Sequence, residues 1–115
     1  MEYIIYHNPR CSKSRNAKKL LEENAIAPRV VEYLKNPPTK EELSDVLKKL
    51  NLTAKEIIRT NEEEYKTLFK NKTFSNEEWV EVLVKHPKLI ERPIIIHGNN
   101  AVVGRPPERC LELLP

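Results

Sequence analysis

Cys11 lies within His7-Asn8-Pro9-Arg10-Cys11-Ser12-Lys13-Ser14-Arg15, a run that surrounds one thiol with cationic and hydroxyl side chains. A thiol attacks only as its thiolate, and its pKa falls beside cationic groups or at a helix N-terminus. A buried small hydrophobe is the common alternative for a free cysteine, but this polar run is unlike a core. Ser14 occupies the place where a Cys-x-x-Cys pair would carry its second thiol. Its hydroxyl can hydrogen-bond the thiolate but cannot form a disulfide, so a second thiol must come from elsewhere. His7 can raise the local positive charge, relay a proton or make a structural hydrogen bond. Free N–H groups at a helix start would also cradle an oxyanion, placing nucleophile and anion site together.

The elements that must position this thiol can be read from the pattern. Tyr3 to Tyr6 is a short β-prone run, His7-Asn8-Pro9 breaks it, and Ala17, Leu20 and Leu21 follow at helical spacing. Cys11 therefore sits at a strand-to-helix turn. Arg29 to Tyr33 gives a second strand, and a strand-helix-strand unit of this length calls for a parallel pair.

The middle of the chain reads as helical. Thr39 with Glu42, Thr53 with Glu56 and Ser75 with Glu78 each have the spacing of a capping box. Leu43, Val46, Leu47 and Leu50 form one apolar stripe, and Trp79, Val82 and Leu83 a second. Asn61 is positioned to cap a further short helix, with Glu62, Glu63 and Glu64 in its first turn. His86 reads as a helix C-terminal residue.

Pro93 to His97 and Ala101 to Val103 are β-prone runs separated by Gly98, Asn99 and Asn100, which suits an antiparallel hairpin. A last helix is expected from Pro106 to near Pro115, with Cys110 turned toward the core beside its leucines. The order, βαβ, a helical block, then ββα, is an α/β thioredoxin-like plan with a mixed sheet. It predicts a single domain over residues 1–115 with a helical insertion at roughly 39–90.

Composition narrows the functional classes. Twenty basic and 17 acidic residues interleave to a net charge of +3, with no basic block, so nucleic acid is not an expected partner. Two cysteines are too few for a disulfide scaffold. The apolar runs are too short to cross a bilayer and the start lacks a signal-peptide pattern, so a cytoplasmic protein without a membrane partner is expected. Cys11, His7, His86 and His97 lack a metal-ligand spacing, and no metal site is predicted.

The stretch Tyr6 to Asn16 resembles the active-site loop of the glutaredoxin-coupled arsenate reductases. The resemblance continues through Tyr33-Leu34-Lys35-Asn36-Pro37-Pro38-Thr39, Ile58-Arg59-Thr60-Asn61, His86-Pro87, Arg92-Pro93-Ile94-Ile95, Gly104-Arg105-Pro106 and the terminal Leu-Leu-Pro. It implies a thioredoxin-like fold and three substrate-binding arginines, which match Arg59, Arg92 and Arg105, around catalytic Cys11, with His7 and Ser14 in support. Guanidinium groups stay charged and fit oxyanions bidentately. Each arginine could instead form a surface ion pair, most simply Arg59 beside the glutamates at 62 to 64. Arg92-Pro93 also matches the family's cis-proline junction.

The activity implied is reduction of arsenate, or a similar oxyanion, by attack of the Cys11 thiolate. Glutathione would act as co-substrate, glutaredoxin as partner, and no bound cofactor would be needed. Two other readings compete. A low-pKa cysteine serves a general glutathione-linked thiol-disulfide oxidoreductase equally well. Redox-responsive regulators of this superfamily bind RNA polymerase and use a redox cysteine pair as a switch, but the residue three after Cys11 is Ser14 here, not cysteine, and the three arginines are matched.

Overall fold

In the computed structural model, which describes residues 1–115, Tyr3–Tyr6 forms β1 and Ser12–Glu23 forms α1, with Cys11 between them as the helix N-cap. Arg29–Val31 forms β2, Ile94–His97 β3 and Asn100–Val103 β4. The sheet order is β2-β1-β3-β4. β1 pairs parallel with β2 and antiparallel with β3, and β3 pairs antiparallel with β4. The mixed sheet and the βαβ and hairpin connections match expectation. The second strand is shorter than predicted, because the backbone turns after Glu32 and Tyr33 lies beyond the ladder. Gly98 takes a φ of +61° in the β3–β4 turn, a conformation glycine adopts without penalty.

The chain divides into two compact units, one of Met1–Asn36 with Arg92–Pro115 and the other of Pro37–Glu91. In the first, alternation along the strands sends Ile5, Ile95 and Val102 to one face of the sheet. There they pack with Ala17 and Leu21 of α1 and with Cys110. Tyr6, Ile94 and Ile96 are the buried residues of the other face. The last element is a 3₁₀ helix, Pro107–Leu113, where an α-helix was expected. Three residues per turn put Cys110 and Leu113 on the same face, and both join that core.

The second unit carries α2 (Lys40–Leu50), α3 (Glu63–Leu68) and α4 (Asn76–Lys85). Complete capping boxes start α2 at Thr39 and α4 at Ser75. The third expected box does not close. The Thr53 hydroxyl donates to the Glu56 carboxylate, and only a 3₁₀ turn, Lys55–Ile57, follows before Ile58 pairs with Ile90 as an isolated bridge. Asn61 is not the cap of α3 either; Glu62 holds that place without a side-chain hydrogen bond. Leu43, Val46 and Leu47 are buried as expected. On α4 the buried set is Trp79, Val80 and Leu83, with Val82 only partly covered. No helix is long and apolar enough to cross a membrane.

Candidate active site

Strand β1 ends at Tyr6, and the next four residues form a tight loop held by its own polar groups. The Asn8 side-chain carbonyl accepts from the Arg10 N–H at 3.0 Å, and its main-chain carbonyl accepts from the Cys11 N–H at 3.0 Å. The Arg15 guanidinium donates to the Pro9 carbonyl at 2.9 Å. These bonds fix the turn that delivers Cys11 to the start of α1. Asn8, read from sequence only as a chain breaker, is thus a principal organiser of the loop; its recurrence in side chain-to-backbone turns was the available signal.

Cys11 is partly exposed, and its thiol is free. It occupies the N-cap with extended dihedrals, φ −96° and ψ 121°, but its side chain closes no cap hydrogen bond of ordinary geometry. Burial alone would raise its pKa. The Ser14 N–H, the Arg92 guanidinium and the Lys13 N–H all face the sulfur and outweigh that effect, so the thiol lies below its ordinary value. The helix start and a cation therefore act together, as the sequence suggested. The cation is Arg92, distant in sequence, and none of the lysines or arginines beside Cys11 contributes comparably.

Ser14 is fully buried. Its hydroxyl lies 2.6 Å from His7 Nδ1 and accepts from the Asn8 N–H at 3.0 Å. It is the Ser14 main chain that faces the thiolate, while the side chain ties the loop together behind it. His7 is 7% exposed, and burial followed by the charge of Lys18 holds its pKa below the ordinary value. A neutral imidazole does not add positive charge at the thiol, which leaves the structural or proton-relay readings of this residue.

Arg92 precedes the cis Arg92–Pro93 bond, and a second cis bond joins Arg105 to Pro106. Burial disfavours the Arg92 cation, but Tyr33 and then Cys11 favour it more strongly, so its pKa lies above the ordinary value. Its Nε and Nη1 atoms are buried without a protein hydrogen-bond partner. Arg105 Nη1 donates to the Arg92 carbonyl at 3.2 Å. Cys11, Arg92 and Arg105 thereby share one unit. Arg59 belongs to the helical unit, where its Nε lies 3.4 Å from a Glu62 carboxylate oxygen and its N–H donates to the Leu89 carbonyl at 2.7 Å.

Cys110 offers a contrast. It is wholly buried, and desolvation, then the charge of Glu108, pushes its thiol pKa up. It fills the core, as its helical spacing suggested. No group of three or more histidine, cysteine, aspartate or glutamate side chains is placed to hold a metal ion.

Comparison with known proteins places this arrangement among relatives. Residues 6–113 match the model of the ArsC family. The chain is 46% identical over 112 residues to the uncharacterized protein YfgD of Escherichia coli strain K12, covering 96% of this chain and 94% of that one. It is 46% identical over 115 residues to an arsenate reductase of Neisseria meningitidis, covering 98% of each. Among solved structures, an arsenate reductase from Vibrio cholerae superposes with a TM-score of 0.94 at 44% identity, covering 99% of this chain and 98% of that one.

Proposed function

The chain belongs to the ArsC family, and from that premise we propose that it reduces arsenate to arsenite, with Cys11 as nucleophile and glutathione and glutaredoxin as the source of electrons. The observation that carries the proposal is the Cys11 sulfur, facing main-chain N–H groups and the Arg92 guanidinium at the start of α1. A site that stabilises one anion, a thiolate, with a cation and helix N–H groups is chemically suited to a second anion beside it.

The thiolate attacks pentavalent arsenic and displaces one oxygen, which leaves as water after protonation. A glutathione thiol displaces another oxygen in the same way. Formation of the disulfide between Cys11 and glutathione supplies the two electrons that reduce arsenic to the trivalent state, and arsenite leaves. A glutaredoxin thiolate then attacks the glutathione sulfur and frees the Cys11 thiolate. Arg92 and Arg105 hold the oxygens and balance their charge. Arg59 enters this reading from the sequence resemblance alone. No bound cofactor is required, and the reducing partners agree with a cytoplasmic setting.

Ser14 supports an external second thiol, since the residue three after Cys11 has no sulfur. The test is arsenate-dependent NADPH oxidation coupled through glutathione, glutaredoxin and glutathione reductase. Wild type should turn over, and Cys11→Ser should lose on the order of a thousandfold or more. No arsenate-dependent rate in the wild type would sink the substrate assignment. A rate with hydroxyethyl disulfide alone would then identify a general disulfide reductase.

A further inference from the structure

Charges of both signs interleave along most of the chain, but the stretch between Glu2 and Glu22 holds no acidic residue and five basic ones, Arg10, Lys13, Arg15, Lys18 and Lys19. The rest of the chain has 15 basic against 17 acidic residues, so the net positive charge of the protein lies on the cysteine loop and on α1. Two of the five are engaged within the fold. Arg15 donates to the Pro9 carbonyl at 2.9 Å, and Lys18 pairs with Glu22 at 2.9 Å. Arg10 and Lys13 are exposed, flank Cys11 in the chain, and their side chains form no hydrogen bond or ion pair.

These two cations have no task in the resting site. The side chain that lowers the Cys11 pKa is Arg92, and Lys13 acts on the sulfur only through its main-chain N–H. The Arg10 main chain is fixed by Asn8, whose side-chain carbonyl accepts its N–H at 3.0 Å, so its side chain starts from a set point beside the thiol. Like charges gathered without counter-charges raise the local concentration of anions.

The same surface has to receive a thiol. The residue three after Cys11 is a serine, and Cys110 is wholly buried with its thiol donating to the Ala17 carbonyl at 3.8 Å, so neither supplies a second sulfur from within the chain. A thiol that meets Cys11 arrives from solvent, past Arg10 and Lys13. None of the large apolar side chains exposed at the surface, Met1, Val30, Leu34, Leu68 and Leu111, belongs to this loop or to α1. The surface beside Cys11 thus offers charge without the apolar anchors of a protein interface, which favours a small anionic thiol over an acidic protein.

We propose that Arg10 and Lys13 recognise the thiol co-substrate: their exposed cations, one on each side of Cys11 in the chain, take the carboxylates at the two ends of a small peptide thiol of the glutathione class and bring its sulfur to the Cys11 sulfur. This assignment rests on the proposed role of Cys11 as a nucleophile that uses an external thiol. It does not depend on which oxyanion is reduced.

The test uses the reduced, full-length protein without arsenate and compares two disulfides at pH 7, the anionic glutathione disulfide and the neutral hydroxyethyl disulfide. In each reaction the Cys11 thiolate attacks one sulfur, a new S–S bond forms, and the other sulfur leaves as a thiolate. Mass spectrometry follows the mixed disulfide on Cys11. The ratio of the two rate constants, glutathione disulfide over hydroxyethyl disulfide, should fall about two- to fivefold in Arg10→Gln and in Lys13→Gln, the range for an exposed ion pair, and further in the double variant. Added salt should bring the wild-type ratio down toward that of the double variant.

Lys19→Gln removes the same charge from an exposed position further along α1 and should keep the wild-type ratio. An unchanged ratio in the double variant would overturn the proposal, as would an equal fall in Lys19→Gln, which would reduce the effect to the general field of the helix. If the ratio holds while glutaredoxin releases the mixed disulfide more slowly, the two cations serve an acidic protein surface and the proposal fails. Absence of arsenate turnover in the wild type would defeat the substrate assignment and leave the comparison decisive. A wild-type Cys11 that reacts with neither disulfide would overturn the nucleophile and this proposal together.

Discussion

The Ser14 hydroxyl and the His7 imidazole meet at 2.6 Å in a buried pair behind the cysteine loop, and the same hydroxyl receives the Asn8 N–H. One small side chain thus closes the loop on which Cys11 depends. Ser14→Ala would leave the Asn8 donor buried without a partner, at a cost of about 1–3 kcal/mol. Urea denaturation at neutral pH should show this loss. An unchanged midpoint would mean that the loop is held without the hydroxyl.

His7 makes the stability of the fold depend on pH. Its pKa is depressed by burial first and by Lys18 next, so between the folded value and the ordinary value of 6.5 the unfolded chain binds more protons. Stability from this residue is fully present above about pH 6.5 and is lost as the pH falls toward the folded value. His7→Gln should flatten that part of the urea-midpoint profile. A slope that is the same in wild type and variant would assign the acid sensitivity to other groups.

The two thiols should separate cleanly in labelling. Cys11 is partly exposed and has a lowered pKa, whereas Cys110 is buried in the core with a raised one. Iodoacetamide should modify Cys11 alone in the folded protein, with a midpoint below the ordinary thiol value, and reach Cys110 only on unfolding. Mass spectrometry of the peptides decides this. Labelling of Cys110 at a comparable rate under native conditions would contradict its place in the core.

The parts legible in sequence are those written in short-range chemistry. The breaker run before Cys11, the Gly98 turn and the boxes at Thr39 and Ser75 each carry their own local signal, and each appears in the fold. Thr53 shows where that logic stops. It has the same spacing to its glutamate, but the extended pairing of Ile58 with Ile90 leaves room for only a short 3₁₀ turn. Tyr33 shows a different limit. Its residue type suits a strand, and only the structure shows it buried beyond the end of β2 with its ring stacked on Tyr6. The cation beside Cys11 carried no local signal, because Arg10, Lys13 and Arg15 lie much nearer in the chain, and Arg92 was legible only through the family resemblance.

A stabilising substitution lies at the end of α1. Ala25 has a φ of +62°, its N–H donates to the Glu22 carbonyl, and the Ile26 N–H donates to the Leu21 carbonyl. This is a Schellman motif, in which glycine is the usual residue at the left-handed position. Relief of the left-handed strain, about 1–2 kcal/mol, exceeds the added entropy of an unfolded glycine, about 0.4–1 kcal/mol. Ala25→Gly should therefore raise stability by about 0.5–1 kcal/mol. Its position at the far end of the helix should leave Cys11 reactivity as it is. A lower thermal midpoint would show that the alanine methyl makes packing contacts worth more than the strain.

Gly104 connects sheet packing to the anion site. A Cβ there would lie 2.8 Å from Pro93 Cγ and 3.0 Å from Ile95 Cδ1, and the Gly104 N–H donates to the Pro93 carbonyl at 2.8 Å. Gly104→Ala must push the exit of β4 away from Pro93, an overpacking cost of about 1–3 kcal/mol. The next residue, Arg105, reaches the Arg92 carbonyl from this exit, so its guanidinium should be displaced. Under the proposed reaction, the KM for arsenate should rise more than kcat falls. Cys11 alkylation should keep its midpoint, because the Ser14 and Lys13 N–H groups and the Arg92 side chain act on the sulfur without Arg105. A raised alkylation midpoint with an unchanged KM would reverse these assignments, making Arg105 a support for the thiolate instead of a ligand for the oxyanion.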